Sequence, residues 1–213
     1  MTAQPAPALL WSPTPERISR SQMRRYMDWL ARERGLDFAD YDALWRWSIA
    51  DVDAFWASLW DYFDIKAYKP YRSILAKRDM PGAEWFPGAE LNFVDQVLRH
   101  ETDARPAVLH AAEQQPLQQM SWRSLREQIA SVAAHLRQRG IKRGDRVVAF
   151  APNTPETLIA FLATVSIGAV WSVCSPDMGL NAVLDRFRQI EPRALFAVPS
   201  CNYGGKHHDK GEI

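Results

Sequence analysis

A glycine pair followed by a lysine, Gly204-Gly205-Lys206, is the segment of this 213-residue chain best suited to holding a phosphate. Backbone amides without side chains can approach an oxyanion closely, and a lysine supplies a positive point charge beside them. The surrounding residues lack the rest of a G-x-x-x-x-G-K-[ST] phosphate loop. From these residues alone, a flexible turn is therefore the favoured interpretation.

Other reactive residue types occur singly. His207 and His208 are adjacent on one predicted loop, which is not a metal-ligand spacing, so no metal site is predicted. Cys174 follows a predicted strand with no activating base nearby in sequence, and we expect a buried, inert thiol. Asp177 and Asp185 have no partner carboxylate at a diagnostic spacing. No catalytic residue is predicted.

The composition excludes several classes of partner. The chain has 26 Lys and Arg against 25 Asp and Glu, a net charge of +1, and so lacks the basic excess typical of nucleic-acid binding. No apolar run approaches the ~20 residues of a membrane span, and the N-terminus does not read as a secretory signal. Two cysteines cannot form a disulfide framework. A reduced, cytoplasmic setting is expected.

The first part of the chain predicts three amphipathic helices rich in aromatic residues. Ser19 or Ser21 can cap the first helix, Gly35 ends it, and Asp40 and Asp51 begin the next two. The apolar positions of these helices recur at helical spacing: Met23, Tyr26, Met27, Leu30, Tyr41, Leu44, Trp45, Ile49, Val52, Phe55, Trp56, Leu59, Trp60 and Phe63. Core or interface packing is the favoured interpretation of this stripe, and a ligand-stacking cage is the alternative.

A change in the character of the sequence predicts a domain boundary near residue 92. Seven of the nine tryptophans lie at or before Trp85. Residues 80–92 break the helical periodicity with two Pro-Gly pairs. The predicted organisation is a helical N-terminal region over 1–92 and an α/β domain over 93–213.

Beyond this boundary, short apolar strands alternate with amphipathic helices. Ser121 or Ser124 begins the first helix, where Ser124 and Glu127 match a capping box, and Pro155 lies in the first turn of the second. The predicted strands are 107–110, 146–150, 169–173 and 194–198. This alternation predicts an α/β fold with a parallel sheet and helices on its faces. Ligands of such sheets bind beyond the carboxyl ends of the strands, here 150–153, 174–177 and from 199 onward.

Several strings resemble the adenylate-forming acyl-CoA ligases. Three of them lie in the α/β part: MSWRSL at 120–125, GDRVVAFAPNTPE at 144–156 and SIGAVWS at 166–172. DVDAFWASLW at 51–60 and WFPGAELN at 85–92 resemble the N-terminal region of the acetyl-CoA synthetase type. MPGAEWFPGAELN at 80–92 and CSPDMG at 174–179 are most similar to the acetoacetate-activating members.

The resemblance implies a reaction and its cofactors. A carboxylic acid would react with ATP to give an acyl-adenylate and pyrophosphate, and CoA would then displace AMP, with Mg²⁺ offsetting phosphate charge. The small-molecule substrate would be acetoacetate or another short carboxylic acid. The family's Ser/Thr/Gly-rich phosphate loop, its ribose-binding aspartate and its adenylation lysine have no counterpart in residues 1–213. The expectation is therefore an incomplete parallel βαβ domain without the nucleotide site, and an inactive isolated chain.

The same resemblance assigns candidate CoA contacts to two loops. The first comprises Ser175, Pro176 and Asp177, and the second comprises Tyr203 to Lys206. Lys206 stands where relatives have a basic residue near the CoA phosphates, and Tyr203 replaces a second basic position. For the first loop, plain turn chemistry at a strand end is an equal alternative.

Two other interpretations stay open at this point. One is a fragment of an acetate- or propionate-activating ligase. The other is a non-enzymatic product, a truncated gene product or a module that binds a partner. An open half-sheet ending at 194–198 would leave an edge uncovered, which predicts association or poor solubility.

Overall fold

The protein, described here by a computed structural model over residues 9–113 and 115–211, folds into two compact units. The N-terminal unit contains residues 9–65 and 69–89. The α/β unit contains residues 66–68 and the described residues from 90 onward. The domain boundary at residue 92 stays a prediction.

The described part of the N-terminal unit is mainly helical. Its elements are α1 (Pro15–Ser19), α2 (Gln22–Arg34), α3 (Tyr41–Ala50), α4 (Val52–Tyr62), β1 (Leu75–Lys77) and β2 (Glu84–Trp85), the last two forming an antiparallel pair.

Side-chain caps fix where these helices begin. Ser21 Oγ accepts a hydrogen bond from Arg24 N, and the carboxylates of Asp40 and Asp51 do the same at the starts of α3 and α4. Gly35 takes φ +66° after α2, a left-handed conformation that costs glycine little. Of the two serines considered, Ser21 begins the helix, and the other predicted helix ends are confirmed.

The aromatic stripe packs only in part. Tyr26, Leu30 and Leu44 are buried in the N-terminal unit, and the Tyr26 hydroxyl lies 2.5 Å from Ser58 Oγ. Trp45 is 50% exposed, and Ile49 is 57% exposed. Helical periodicity predicts which face is apolar, but not whether a neighbour covers all of it.

The α/β unit begins with a short helix and a hairpin and continues as a series of strands and helices. Its elements are α5 (Phe93–Leu98), β3 (Val108–His110), β4 (Gln118–Met120), α6 (Trp122–Gln138), β5 (Arg146–Phe150), α7 (Pro155–Ser166), β6 (Val170–Cys174), α8 (Leu180–Ile190), β7 (Ala194–Ala197), β8 (Ser200–Tyr203) and β9 (Lys206–Asp209).

The described sheet of β5, β6 and β7 is parallel, with the order β6-β5-β7, which confirms the predicted α/β fold class. Alternate residues of β5 serve opposite faces. Val147 packs with residues of α6 and α7, whereas Val148 packs with Val183 and Phe187 of α8. Helices therefore cover both faces of the central strand.

Of the two serines considered for α6, Ser121 is the cap: its Oγ accepts from Ser124 N, and its carbonyl accepts from Leu125 N. The capping-box match at Ser124 is wrong. Some strand bounds differ from the prediction by one residue: β3 begins at Val108, and β7 ends at Ala197. Strand β6 lies one residue later than predicted, at 170–174. Helix α7 ends at Ser166, because Ile167 closes the last turn.

Two hairpins accompany the parallel sheet. Strands β3 and β4 pair antiparallel, as do β8 and β9, with Tyr203 opposite Lys206. The sequence indicated β3 as a strand but neither β4 nor the β8–β9 hairpin. Their residues are mostly polar, so hydrophobic patterning gives no signal there.

The outer strands of the sheet carry exposed apolar side chains. Leu195 in β7 is 58% exposed, and Val170 in β6 is 50% exposed. The expectation that these edges promote association stays a prediction. Among the described residues, no helix combines the length and hydropathy needed to cross a membrane.

Candidate functional site

The loops that follow β5 and β6, together with residues of β8 and β9 and Lys210 after β9, line one cavity at the carboxyl edge of the parallel sheet. The cavity has a volume of about 200 Å³. The backbone holds this edge together: Ala151 N donates to Cys174 O at 3.2 Å, and Val198 N donates to Phe150 O at 3.1 Å. The residues that line the cavity are Pro152, Ser175, Pro176, Asp177, Cys201, Asn202, Tyr203, His208 and Lys210.

Four of the seven predicted site residues meet at this cavity. Ser175, Pro176 and Asp177 reach it from the loop after β6, and Tyr203 reaches it from the end of β8. The loop closes on itself, since Met178 N donates to Ser175 O at 3.0 Å. The turn interpretation and the site interpretation of this loop are therefore compatible.

The remaining three predicted residues lie at the tip of the β8–β9 hairpin. Gly204 and Gly205 form its two-residue turn, with φ +61° and +72°, the left-handed pair that such a turn requires. Lys206 begins β9 and is exposed. None of the three is among the residues that line the cavity. Lys210 N donates to Pro199 O at 2.7 Å, so the hairpin returns to the end of β7.

Asp177 supplies a negative charge at the rim of the cavity. The hydrogen bond from Ser175 holds the pKa of this carboxyl below its usual range, with further help from its own backbone amide and from the charge of Lys210. Asp177 is therefore ionised at neutral pH. This negative charge disfavours a phosphate group directly beside Asp177.

Some residues of this region were missed by the sequence reasoning. Lys210, Cys201 and Asn202 line the cavity, and the Glu113 carboxylate accepts hydrogen bonds from Gly204 N at 2.8 Å and Gly205 N at 2.7 Å. Glu113 lies 91 residues before Gly204. A Gly-Gly pair between two short segments is a hairpin signal and could have indicated β8 and β9. No local signal indicates Glu113.

The histidines and cysteines have ordinary surroundings. His207 Nδ1 lies 3.0 Å from Asn202 Oδ1, and His208 Nε2 lies 3.3 Å from Tyr203 O. Within residues 9–113 and 115–211, no group of three or more His, Cys, Asp or Glu is arranged to hold a metal ion. Cys174 is buried, as predicted, and both Cys174 and Cys201 are free thiols.

A second cavity, of about 400 Å³, lies in the N-terminal unit. Its walls are mainly aromatic and aliphatic, and Gln22 and Ser48 are among the lining residues with polar side chains. The apolar face left open by Trp45 and Phe63 contributes to it. The aromatic cage considered from the sequence stays a prediction, and the carboxyl edge of the sheet offers the more polar site.

Comparison with known families accounts for both units. Residues 94–212 match the family described as AMP-binding enzyme, which is more than half of the chain. The chain belongs to this family. Residues 41–97 match the family described as the acetyl-coenzyme A synthetase N-terminus. The resemblance seen in the sequence motifs is therefore confirmed.

Individual relatives of the chain carry the name of one ligase. It is 38% identical to the acetoacetyl-coenzyme A synthetase of Rhizobium meliloti (strain 1021) over 94% of this chain, and 39% identical to the acetoacetyl-CoA synthetase of Danio rerio over 96%. The solved acetoacetyl-CoA synthetase from Streptomyces lividans is 42% identical over 97% of this chain, with a TM-score of 0.92. The chain spans only 31%, 30% and 32% of the length of these three relatives.

Proposed function

We propose that this chain provides the CoA-contacting part of an AMP-forming acetoacetate–CoA ligase. The observation that carries the proposal is the similarity to acetoacetyl-CoA synthetases along nearly the whole chain, at 38–42% identity. The acid is named by those relatives, not by any acyl pocket in the described residues. Acetate- or propionate-activating ligases are the alternative within the same chemistry. Two free thiols support a reducing, cytoplasmic setting.

The proposed reaction has two balanced steps. The carboxylate of acetoacetate attacks the α-phosphorus of ATP, a phosphorus–oxygen bond breaks, and pyrophosphate leaves. The CoA thiol, which loses its proton to solvent or a base, then attacks the acyl carbon, and AMP leaves with the carboxyl oxygen. Mg²⁺ offsets charge on the phosphates in such transfers.

The chain's own contribution is to hold CoA. The amides of Gly204 and Gly205 and the ammonium of Lys206 are the donors proposed for its phosphates, since glycine amides in a turn form an anion-binding concavity. The loop of Ser175, Pro176 and Asp177 and the ring of Tyr203 are proposed to contact the less charged part. The assignment is supported by the hydrogen bonds that both glycine amides already donate to an oxyanion, the Glu113 carboxylate.

Lys206→Ala is expected to weaken CoA binding about two- to fivefold. An exposed charge contact of this kind contributes roughly 0.4–1 kcal/mol. Isothermal titration calorimetry of the 213-residue chain with CoA measures the change. Dephospho-CoA, tested in parallel, reports whether the 3′-phosphate is the group that Lys206 contacts.

Lys142→Ala is the matched control, because Lys142 is also an exposed lysine of the α/β unit but lies before β5. Its affinity for CoA should equal that of the unmodified chain. Equal affinities for all three proteins would remove Lys206 from the proposed site. An equal loss in both variants would indicate a general effect of net charge.

The 213-residue chain on its own is expected to release no pyrophosphate in the presence of acetoacetate, ATP and Mg²⁺. The phosphate loop and adenylation lysine implied by the resemblance have no counterpart in its sequence. A coupled pyrophosphate assay, with a complete acetoacetyl-CoA synthetase as positive control, measures this. Acetoacetate-dependent release above the enzyme-free rate would contradict the expectation.

A further inference from the structure

The hairpin turn proposed to receive a CoA phosphate already holds an anion, the side chain of Glu113. Each carboxylate oxygen takes one amide: Oε1 accepts from Gly204 N at 2.8 Å, and Oε2 accepts from Gly205 N at 2.7 Å. Both distances are those of good charge-assisted hydrogen bonds. The two amides of the glycine turn thus bind an oxyanion by donating one hydrogen bond to each of its two oxygens.

The geometry of the turn explains why it binds an oxyanion. Consecutive residues with positive φ direct their amide hydrogens to one side of the chain, and neither glycine places a Cβ in that space. A phosphate has the same requirement as a carboxylate, two oxygens directed at two neighbouring donors. Glu113 and a phosphate therefore compete for the same pair of amides.

We propose that Glu113 is a built-in competitor that occupies the anion position of the Gly204–Gly205 turn and is displaced when a phosphate group binds. This inference rests on the proposed CoA site and names the residue that limits its affinity. Glu113 is given no catalytic role, since its carboxylate is placed here by hydrogen bonds from two backbone amides.

The surroundings of Glu113 make displacement reversible. The carboxylate and both glycines are exposed, so the released side chain enters water without leaving a buried charge behind. The two amide hydrogen bonds hold the pKa of Glu113 below its usual range, so the competing group is a charged carboxylate at neutral pH. The adjacent Lys206 is then available to the incoming phosphate.

A structural tether is the competing interpretation of the same contact. The two hydrogen bonds join the segment after β3 to the β8–β9 hairpin, and their loss could simply loosen that hairpin. The two interpretations predict opposite signs for ligand affinity. A tether that is cut gives weaker or unchanged phosphate binding, whereas a competitor that is removed gives tighter binding.

The test uses the full 213-residue chain, labelled with ¹⁵N, and its Glu113→Gln and Glu113→Ala variants. CoA, dephospho-CoA and inorganic phosphate are the probes, and the amide signals of Gly204 and Gly205 report binding at the turn. We expect both variants to bind CoA about two- to fivefold more tightly than the unmodified chain, the range for exposed charge contacts. Glu127→Gln, which removes an exposed carboxylate from α6, should change nothing.

The outcomes separate the inference from the proposed function. If CoA perturbs both glycine amides with the same affinity in all variants, the CoA site stands and the competitor is overturned. If CoA binds the Glu113 variants more weakly than the unmodified chain, the CoA site again stands and the competitor is again overturned. If inorganic phosphate perturbs these amides more strongly in the variants while CoA binds nowhere, the competitor stands and the CoA site fails. If no probe perturbs them in any variant, both fail.

Discussion

The Leu162→Ala variant is expected to lose about 2–5 kcal/mol of the free energy of unfolding of the α/β unit. Leu162 lies in α7, is 2% exposed, and belongs to the cluster that α6, α7 and Val147 of β5 build on one face of the sheet. Removing three buried carbon atoms there loses their transfer free energy and leaves a cavity, because the surrounding backbone relaxes only partly.

Because the chain has two units, the measurement must report on one of them. Urea denaturation followed by amide hydrogen exchange in β5 assigns the loss to the α/β unit. Leu109→Ala is the control. Leu109 is 58% exposed in β3, so this substitution should change the free energy of unfolding of the α/β unit by less than about 1 kcal/mol. A loss below that value for Leu162→Ala would mean that this face of the sheet is not closely packed.

The parallel core of the α/β unit could be predicted from the sequence, because each of its elements has a local sequence pattern. Residues 147–150 form an uninterrupted apolar segment after Arg146, and β5 has the predicted bounds of 146–150. Pro155 occupies the first turn of α7, as its missing amide hydrogen predicts. Buried strands and amphipathic helices carry a periodic signal that tertiary contacts then reinforce.

The hairpins could not be predicted in the same way. Strand β9 contains Lys206, His207, His208 and Asp209, and its stability comes from backbone pairing and a glycine turn rather than from an apolar face. The exposed half of the aromatic stripe is the opposite case, because local patterning is strong there but does not predict burial. Its periodicity predicts helices correctly, but burial depends on neighbours that local spacing does not describe.

The candidate site also has one part that the sequence predicts and one part that it does not. The carboxyl edge of the sheet follows from the order of strands and helices, and it brings Ser175, Asp177 and Tyr203 to one cavity. The contact of Glu113 with Gly204 joins residues 91 positions apart through a loop and a hairpin tip. Only a three-dimensional structure can reveal such a pairing, since neither segment has a pattern that depends on the other.

Asn92 explains a motif that the sequence marked only as a boundary loop. Its Oδ1 accepts from Val94 N at 2.9 Å and so begins α5, while its Nδ2 donates to Val165 O at 3.0 Å and Ser166 O at 3.2 Å. The last carbonyls of a helix have no partner within it, so the amide completes the end of α7. One side chain thus caps one helix at its start and another at its end.

Asn92→Ala is therefore expected to lower the free energy of unfolding of the α/β unit by about 1–3 kcal/mol, since it removes an N-cap and leaves partly buried carbonyls without this donor. Asn92→Ser separates the two roles, because a serine keeps the cap but cannot reach both carbonyls as a donor; its loss should lie between zero and that of alanine. Asn92→Asp keeps the cap acceptor but places a carboxylate beside the negative end of α7, which should cost more than serine.

Urea denaturation with hydrogen exchange in α7 measures the loss of unfolding free energy in each of the three variants and so gives their order. If serine and alanine cost the same, the cap contributes nothing, and if serine costs nothing, the bonds to Val165 and Ser166 do not stabilise the unit.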